Sequence, residues 1–595
     1  MDRPERNARW IPAVLFLGTA ALYLFRLGQA GLYDLDEAVY AEIAREMLAL
    51  RDWLTPHLDF VPYLEKPPLH YWLTALSIQA GGATAFFARL PAALAAAAAA
   101  AFTADLGRRL WGPRAGWAAG AILATSFGCY IFGRMAMPDM LFAALVTAAF
   151  WGYGRALLEA DAPGGCALVG AAAMGAAVMA KGLIGLIFPA LVIGLFLLWI
   201  RDGRGLRRLR LFSGALVFLL VAVPWHGAMS AEHPGFFRFY VVNEHLKRFL
   251  GHRALVNYHT LPIPTFLALT LVWFCPWSVF LPAALVRFRL RRADPAFLFV
   301  ALWAAAVIGF FVLSASRLEY YGLPALPALA LIVGRLWADE IGRSDGRSRA
   351  MAWTWIALGA FAACLVPAAL LFPRLEHLTF YNLFPQAQPA ESIPATALAR
   401  AQVDAVPGFG VLVPLLETVV ILIIAGVAAA GWAWRRGRPA RSFAGLLLTL
   451  VIGLAVVGRG FALFEPYGSV ARLAAIVRAE APAGAAVILE GRYERHAGLG
   501  FYTARPIALY HGSDGVLAFG TRYGAPPPGT FLADGDFAGI WQGPAPAYFV
   551  SDAPDCLART RALDPGTVIL GRTGPTWLLA HRPPPETLAP PRDRN

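Results

Sequence analysis

Charge is scarce in this sequence. Asp, Glu, Lys and Arg make up only 15% of its 595 residues, against 58% apolar, whereas soluble domains are about a quarter charged. Together with a mean hydropathy of +0.56, that scarcity excludes a soluble globular chain and predicts an integral membrane protein. Cysteine is also sparse: there are five, none in C-x-x-C spacing and four within apolar segments. A disulfide framework or a cysteine zinc site is therefore excluded as an organising feature. No P-loop or dinucleotide glycine motif stands in a suitable context, so nucleotide chemistry lacks its usual handle. The first apolar run, near 11–27, lacks a clear small-residue cleavage site and is expected to stay as a membrane anchor.

What is abundant is apolar runs long enough for a bilayer core of about 30 Å. They fall at roughly 11–28, 84–106, 116–132, 138–156, 165–180, 183–200, 211–228, 264–286, 296–313, 322–340, 351–373, 411–434 and 442–464. The expected fold class is an all-α polytopic membrane domain of about thirteen transmembrane helices over 1–464. The alanine run 92–101 is helix-favouring and gets no function. Arginine sorts the two faces. Arg3, Arg6 and Arg9, then Arg108, Arg109 and Arg114, then clusters at 201–210, 287–292, 343–349 and 435–441 all fall on one side, which is expected to be cytoplasmic. The turn at Glu159 is the exception, with only Arg155 near. Much of the net charge of +13 is thereby topology, and nucleic acid is not an expected partner.

The opposite face receives the outer loops 29–83, 229–262 and 374–410 and the segment 465–595. In that last segment, helical periodicity over 467–481 is followed by β-like runs at 485–489, 547–550 and 567–570 between Gly/Pro turns. A small C-terminal α/β periplasmic domain is predicted, without a catalytic constellation of its own.

The first outer loop crowds Asp34, Asp36, Glu37, Glu65 and Lys66 between two apolar segments. Asp34 followed by Glu37 reads as a capping box opening a helix through Leu50. Val39, Ile43, Met47 and Leu50 would be its apolar stripe along the membrane interface. Glu37 is then either a carboxylate favoured by the helix dipole or a catalytic acid, while Asp36 is left without a local task. In Glu65-Lys66-Pro67-Pro68, proline holds Lys66 extended and Pro68 can start the next helix. A carboxylate and an ammonium are thus presented side by side on a fixed backbone, suited to a lipid phosphate.

The pattern Asp36-Glu37, Tyr40-Ala41-Glu42-Ile43-Ala44, Glu65-Lys66-Pro67-Pro68 and Tyr71-Trp72 resembles the bacterial aminoarabinose transferases of lipid A. More broadly it is similar to the polyprenyl-phosphate-dependent GT-C glycosyltransferases, which include protein O-mannosyltransferases. The resemblance implies inverting transfer of a sugar from a polyprenyl-phosphate donor on the outer face of the inner membrane. It makes Asp36 the essential loop acid, and has Tyr63 and Lys66 hold the donor phosphate. Glu65 becomes a candidate ligand of a divalent metal, zinc or magnesium. One position departs: Val39 stands where those transferases carry the arginine of Asp-Glu-x-Arg-Tyr, so a phosphate-binding charge is absent there or supplied elsewhere.

Further outer-face residues join the candidate site. Asp139, after Pro138, is either a plain helix-start acid or the second aspartate the resemblance implies, held by Arg134 or a metal, and Arg134 is also an expected ligand of the donor phosphate. Lys181 either snorkels to the interface or meets an anionic ligand. The stretch 226–259 holds His226, His233, His245, His252 and His259 among aromatics. By the resemblance His245 would join Glu65 at the metal. Arg317 and Tyr321, four apart, make a phosphate clamp. The expected function is transfer of an aminoarabinose-like pentose or a hexose from undecaprenyl phosphate to lipid A or lipopolysaccharide, with protein O-glycosylation as the alternative. A lipid or sugar transporter is the reading of a different class. It would show internal repeats and mid-helix charge, whereas here the charges gather at one face.

Overall fold

Backbone N–H and C=O groups that must lie in a bilayer have one local solution, the hydrogen-bond ladder of an α-helix, and the chain adopts it through most of its length. The computed structural model describes residues 8–201, 203–253, 260–289, 294–343, 348–371, 402–403, 409–512, 515–517 and 520–581. Most of the expected loop 374–410, together with His259, Arg3, Arg6, Arg291, Arg292 and Arg347, lies outside those residues.

Eight described helices are each long and apolar enough to cross a membrane: Ala85–Trp111, Pro138–Leu158, Leu211–Glu232, Pro295–Leu313, Glu319–Ile341, Arg349–Leu371, Gly410–Arg435 and Pro439–Gly468. Ile263–Trp273 and Trp277–Arg287 form a further pair, bent by 100° rather than straight as expected. Pro276, in the break, has no N–H with which to continue a ladder. Three shorter apolar helices, Ile11–Leu24, Gly165–Lys181 and Ile184–Ile200, occupy further expected spans. The run 116–132, expected to be continuous, is divided into Pro113–Ala124 and Phe127–Phe132. At the break, the Thr125 and Ser126 hydroxyls turn back onto the carbonyls of Ala121 and Ile122.

The bundle has an inside and an outside. Pro138–Leu158 and Glu319–Ile341 are 83% and 94% buried, whereas Gly410–Arg435 and Pro439–Gly468 are 11% and 22% buried, leaving their apolar sides for lipid. The alanine run has a packing role after all. It lies in Ala85–Trp111, whose backbone approaches Pro113–Ala124 so closely that a Cβ on Gly120 would stand 3.0 Å from the Ala100 carbonyl. Small residues permit such contact, and without a hydrophobic drive between helices, close packing is what holds them together.

On the candidate outer face, Glu37–Leu50 forms as expected, but buried on both sides rather than floating at the interface. Val39, Ile43 and Met47 are covered, and so are Glu37, Glu42 and Glu46. What covers the second side is the C-terminal domain. There β4 (Ala486–Glu490), β5 (Ala508–Tyr510), β6 (Phe531–Leu532) and β7 (Ala547–Ser551) run parallel; β9 (Thr576–His581) pairs antiparallel with β7, and β8 (Val568–Thr573) pairs antiparallel with β9. Gln402–Val403, here β3, adds to β8, giving the order β3-β8-β9-β7-β4-β5-β6. β1 (His57–Leu58) and β2 (Val61–Pro62) form a separate hairpin in the first loop. The expected boundary at 464/465 falls inside the last bundle helix, which runs on to Gly468.

Candidate active site

Asp36 stands immediately before the helix Glu37–Leu50, and its carboxylate caps nothing. The capping role expected of Asp34 is not taken up either: its oxygens accept from the Gly498 and Val470 N–H groups at 2.8 and 3.0 Å. Burial, then the neighbouring acids Asp139 and Glu319, push Asp36 up to about 7 against the pull of Lys66. A carboxyl poised near neutrality, partly open and free of a local task, is placed to accept a proton.

Glu37, expected among the catalytic acids, is instead a structural lock. Arg89 donates to both its oxygens at 2.7 and 2.8 Å, and the Ala136 and Tyr33 N–H groups donate at 2.7 and 3.1 Å. The rest of the Arg89 guanidinium donates to the carbonyls of Leu27, Ala30 and Gly31. With every donor and acceptor taken, no lone pair is left for chemistry.

Asp139 opens the buried helix Pro138–Leu158 and is held by Lys181, not by Arg134. The Lys181 ammonium also lies 5.2 and 4.7 Å from the Tyr320 and Tyr321 ring centres. Arg134 closes off the first helix instead. It donates to the carbonyls of Tyr23, Phe25 and Arg26, the unsatisfied groups any helix end presents, and so is not a phosphate ligand.

Beside these acids opens a cavity of about 420 Å³. Its lining combines the polar side chains of Lys66, Arg248, Lys181, Tyr321, Glu65 and Glu244 with apolar ones, including Ile184, Ile187, Leu246, Phe249 and Phe310. Pro68 starts the next helix, as anticipated. It stands at the N-cap of the helix Leu69–Gly81, while Lys66, expected to be extended, lies in a bend just before it. Burial, then the Arg248 charge, pull the Lys66 ammonium down to about 7, so a bound anion there would be strongly favoured.

Arg248 is the residue that sequence reasoning missed. It donates to the Tyr321 hydroxyl at 2.8 Å, in the position expected of Arg317. Arg317 itself is spent on the carbonyls of Leu261 and Ser314. The signal was present in the four-residue spacing Glu244 to Arg248, 3.7 Å apart, but a π-helix over Arg238–Lys247 obscures its period. Arg253, not singled out either, bridges Glu244 at 2.9 Å and Glu65 at 3.1 Å.

Tyr63 supports this network rather than a phosphate: its hydroxyl donates to Glu65 at 3.3 Å. Burial and then Glu244 push Glu65 up, so the two carboxyls share a site that Arg253 neutralises. The expected metal pair does not fit. His245 Nδ1 lies 2.7 Å from the Tyr240 carbonyl and Nε2 accepts from the Leu183 N–H at 3.1 Å, so both ring nitrogens are engaged. Gly182, with φ +94°, allows this, since a Cβ there would meet Nε2 at 2.1 Å. Burial pulls His245 down to about 4 against the Tyr240 carbonyl, which favours the charged ring, and leaves a neutral packing ring. Among the described residues no three His, Cys, Asp or Glu side chains gather as a metal requires.

Comparison with known proteins bears on this geometry. The family model described as dolichyl-phosphate-mannose-protein mannosyltransferase matches residues 65–227. The undecaprenyl phosphate-α-4-amino-4-deoxy-L-arabinose arabinosyl transferase of Pseudomonas aeruginosa (strain UCBPP-PA14) is 31% identical over 468 residues, 76% of each chain. Transferase 1 of Pseudomonas fluorescens (strain Pf0-1) is 33% identical over 346 residues, 57% of this chain and 60% of that relative. Among solved structures, ArnT from Cupriavidus metallidurans bound to undecaprenyl phosphate superposes with a TM-score of 0.78 at 26% identity, covering 96% of this chain and 98% of the other.

Proposed function

The chain belongs to the family of undecaprenyl-phosphate 4-amino-4-deoxy-L-arabinose arabinosyl transferases, and from that membership we propose that it moves one aminoarabinose-type sugar from an undecaprenyl-phosphate donor to lipid A. It is a multi-pass protein of the inner membrane, and the arginine-poor face that carries the cavity is its periplasmic side. The observation that carries the reading is the cavity itself: three cations and a phenol (Lys66, Lys181, Arg248 and Tyr321) line it together with apolar side chains. That is the arrangement an amphiphile with a phosphate head and a prenyl tail requires.

In this reading the bond from the anomeric carbon to the phosphate oxygen breaks with its electrons passing to the phosphate. Lys66 and Arg248, the latter oriented by Tyr321, neutralise that departing charge. The acceptor oxygen enters from the opposite side, inverting the anomeric centre. Asp36 orients it and takes its proton where it carries one; Asp139, anchored by Lys181, keeps the Asp36 proton affinity high. An acceptor phosphate arrives already anionic and leaves Asp36 mainly an orienting role.

The test is mass spectrometry of lipid A from cells with and without the protein. A species heavier by one aminopentose only when the wild-type chain is present, and lost in Asp36→Asn, is the expected result. Lipid A unchanged, with the sugar on envelope protein, overturns the acceptor assignment.

A further inference from the structure

In open sheets with parallel strands, ligands bind outside the carboxyl ends where the strand order reverses. In the C-terminal domain that point lies between β4 and β7, which flank the reversal in the order β7-β4-β5. The residues there, His496 after β4 and Asp552 after β7, have no part in the transfer described above. What fills the position is the first outer loop. The Leu32 N–H donates to the Tyr502 hydroxyl at 2.8 Å. The Asp34 and Leu35 N–H groups donate to the Gly468 and Glu494 carbonyls at 2.7 and 2.8 Å. The Asp34 carboxylate takes the Gly498 and Val470 amides at 2.8 and 3.0 Å. Behind it, His496 Nε2 lies 3.0 Å from Asp552 and Nδ1 lies 3.9 Å from Asp34, and the Thr576 hydroxyl donates to Asp552 at 2.6 Å. Leu35 is held at φ +74°, a left-handed backbone that an L-leucine adopts only when its surroundings impose it.

We infer that the C-terminal domain is the positioning element of the transferase: it grips Asp34 through the Gly498 and Val470 amides and the His496–Asp552 pair, and so fixes where Asp36 points. The inference rests on the function proposed above. Burial opposes charge on His496, but Asp552 and then Asp34 outweigh it and hold the ring up to about 10. Asp34 is itself pushed up by burial, so the closer Asp552 is the ion-pair partner and Asp34 is held chiefly by the amides. A grip of this kind acts on geometry, and a displacement of about 1 Å at a reacting group costs on the order of 100-fold.

The experiment uses the full-length chain in detergent, wild type against Asp34→Ala, His496→Ala and Asp34→Asn, with two readouts. Hydrogen exchange at the Asp34 and Leu35 amides is expected to accelerate in the alanine variants while Pro138–Leu158 stays protected. Sugar-transfer kcat is expected to fall by about 100-fold with the donor KM unchanged and the acid limb of the kcat profile displaced, because Asp36 has left its neighbours. Asp34→Asn keeps one acceptor oxygen for the two amides and is expected to recover part of both. Protected loop amides in the alanine variants overturn the inference. So does an opened loop with kcat within threefold of wild type, or a loss of kcat with the pH profile unmoved. A wild-type chain that transfers no sugar from the undecaprenyl-phosphate donor overturns the function instead, and the exchange readout still decides the grip.

Discussion

Two buried charge clusters stand on either side of Asp36, and they differ in how completely they are satisfied. Around Glu37 and Arg89, carboxylate and guanidinium answer each other, and backbone groups take what remains. Around Lys66, one oxygen each of Glu65 and Glu244 is buried with no hydrogen-bond partner. Native structures seldom leave buried polar atoms unanswered. A closed network is therefore read as architecture, and an open one beside a cavity as one with acceptors left for a donor group of a ligand.

That contrast can be broken at its closed end first. Glu37→Ala leaves the Arg89 guanidinium buried without its partner, and removing one member of a buried pair costs about 3–5 kcal/mol. The expected outcome is a large drop in thermal midpoint for the detergent-solubilised protein. A variant that unfolds like wild type yet has lost transfer would return Glu37 to the chemistry.

Asp36→Asn should do the reverse. Its carboxylate caps nothing, so the thermal midpoint and donor binding should hold while kcat falls, by about 10²–10⁴-fold, the span of general-base catalysis, where the acceptor carries a proton. Transfer at wild-type rate would remove Asp36 from the mechanism. At the open end, Lys66→Ala or Arg248→Ala should weaken undecaprenyl-phosphate binding by about 10–100-fold, since a hydrogen bond to a charged group is worth about 1.5–3 kcal/mol. Arg317→Ala and Arg134→Ala, whose guanidinium groups serve backbone carbonyls, should leave that affinity within threefold. Equal losses in all four would erase the distinction between ligand-facing and architectural arginines.

The same distinction explains what the sequence could show. The helices were legible because the bilayer enforces a local solution, and Lys66 was legible because proline on its C-terminal side fixes the backbone by covalent geometry. Pairing was not. Whether Glu37 meets substrate or Arg89, fifty-two residues away, depends on packing that no local spacing encodes. Arg317 and Arg248 are both basic, both beside aromatics and both on the same face; only the fold says which one turns to backbone carbonyls. In the C-terminal domain, β4, β7 and β8 carried an apolar signal, whereas β5 and β6 are too short to register. β3 comes from a loop outside the domain. The expected interface helix failed for a related reason: its polar stripe is covered by the C-terminal domain, a partner its own periodicity does not name.

The smallest expected effect is a pH dependence, and it tests both ends together. In the free protein burial holds the Lys66 ammonium near 7, below its ordinary value, and holds Asp36 near 7, above its own. Lys66 is charged below that pH and neutral above it, so affinity for a sugar phosphodiester donor, whose own charge is constant, is greatest below 7 and declines as pH rises through it. Asp36 runs the other way: it is a base only above 7, and kcat falls as pH drops through that value. The product, kcat/KM for the donor, should be a narrow bell centred near neutrality. Lys66→Arg separates the limbs, because a guanidinium stays charged throughout. That variant should lose the alkaline fall and keep the acid one. A wild-type profile flat from about pH 6 to 9 would mean that neither group titrates as its burial requires, and the open cluster would then be as well satisfied as the closed one.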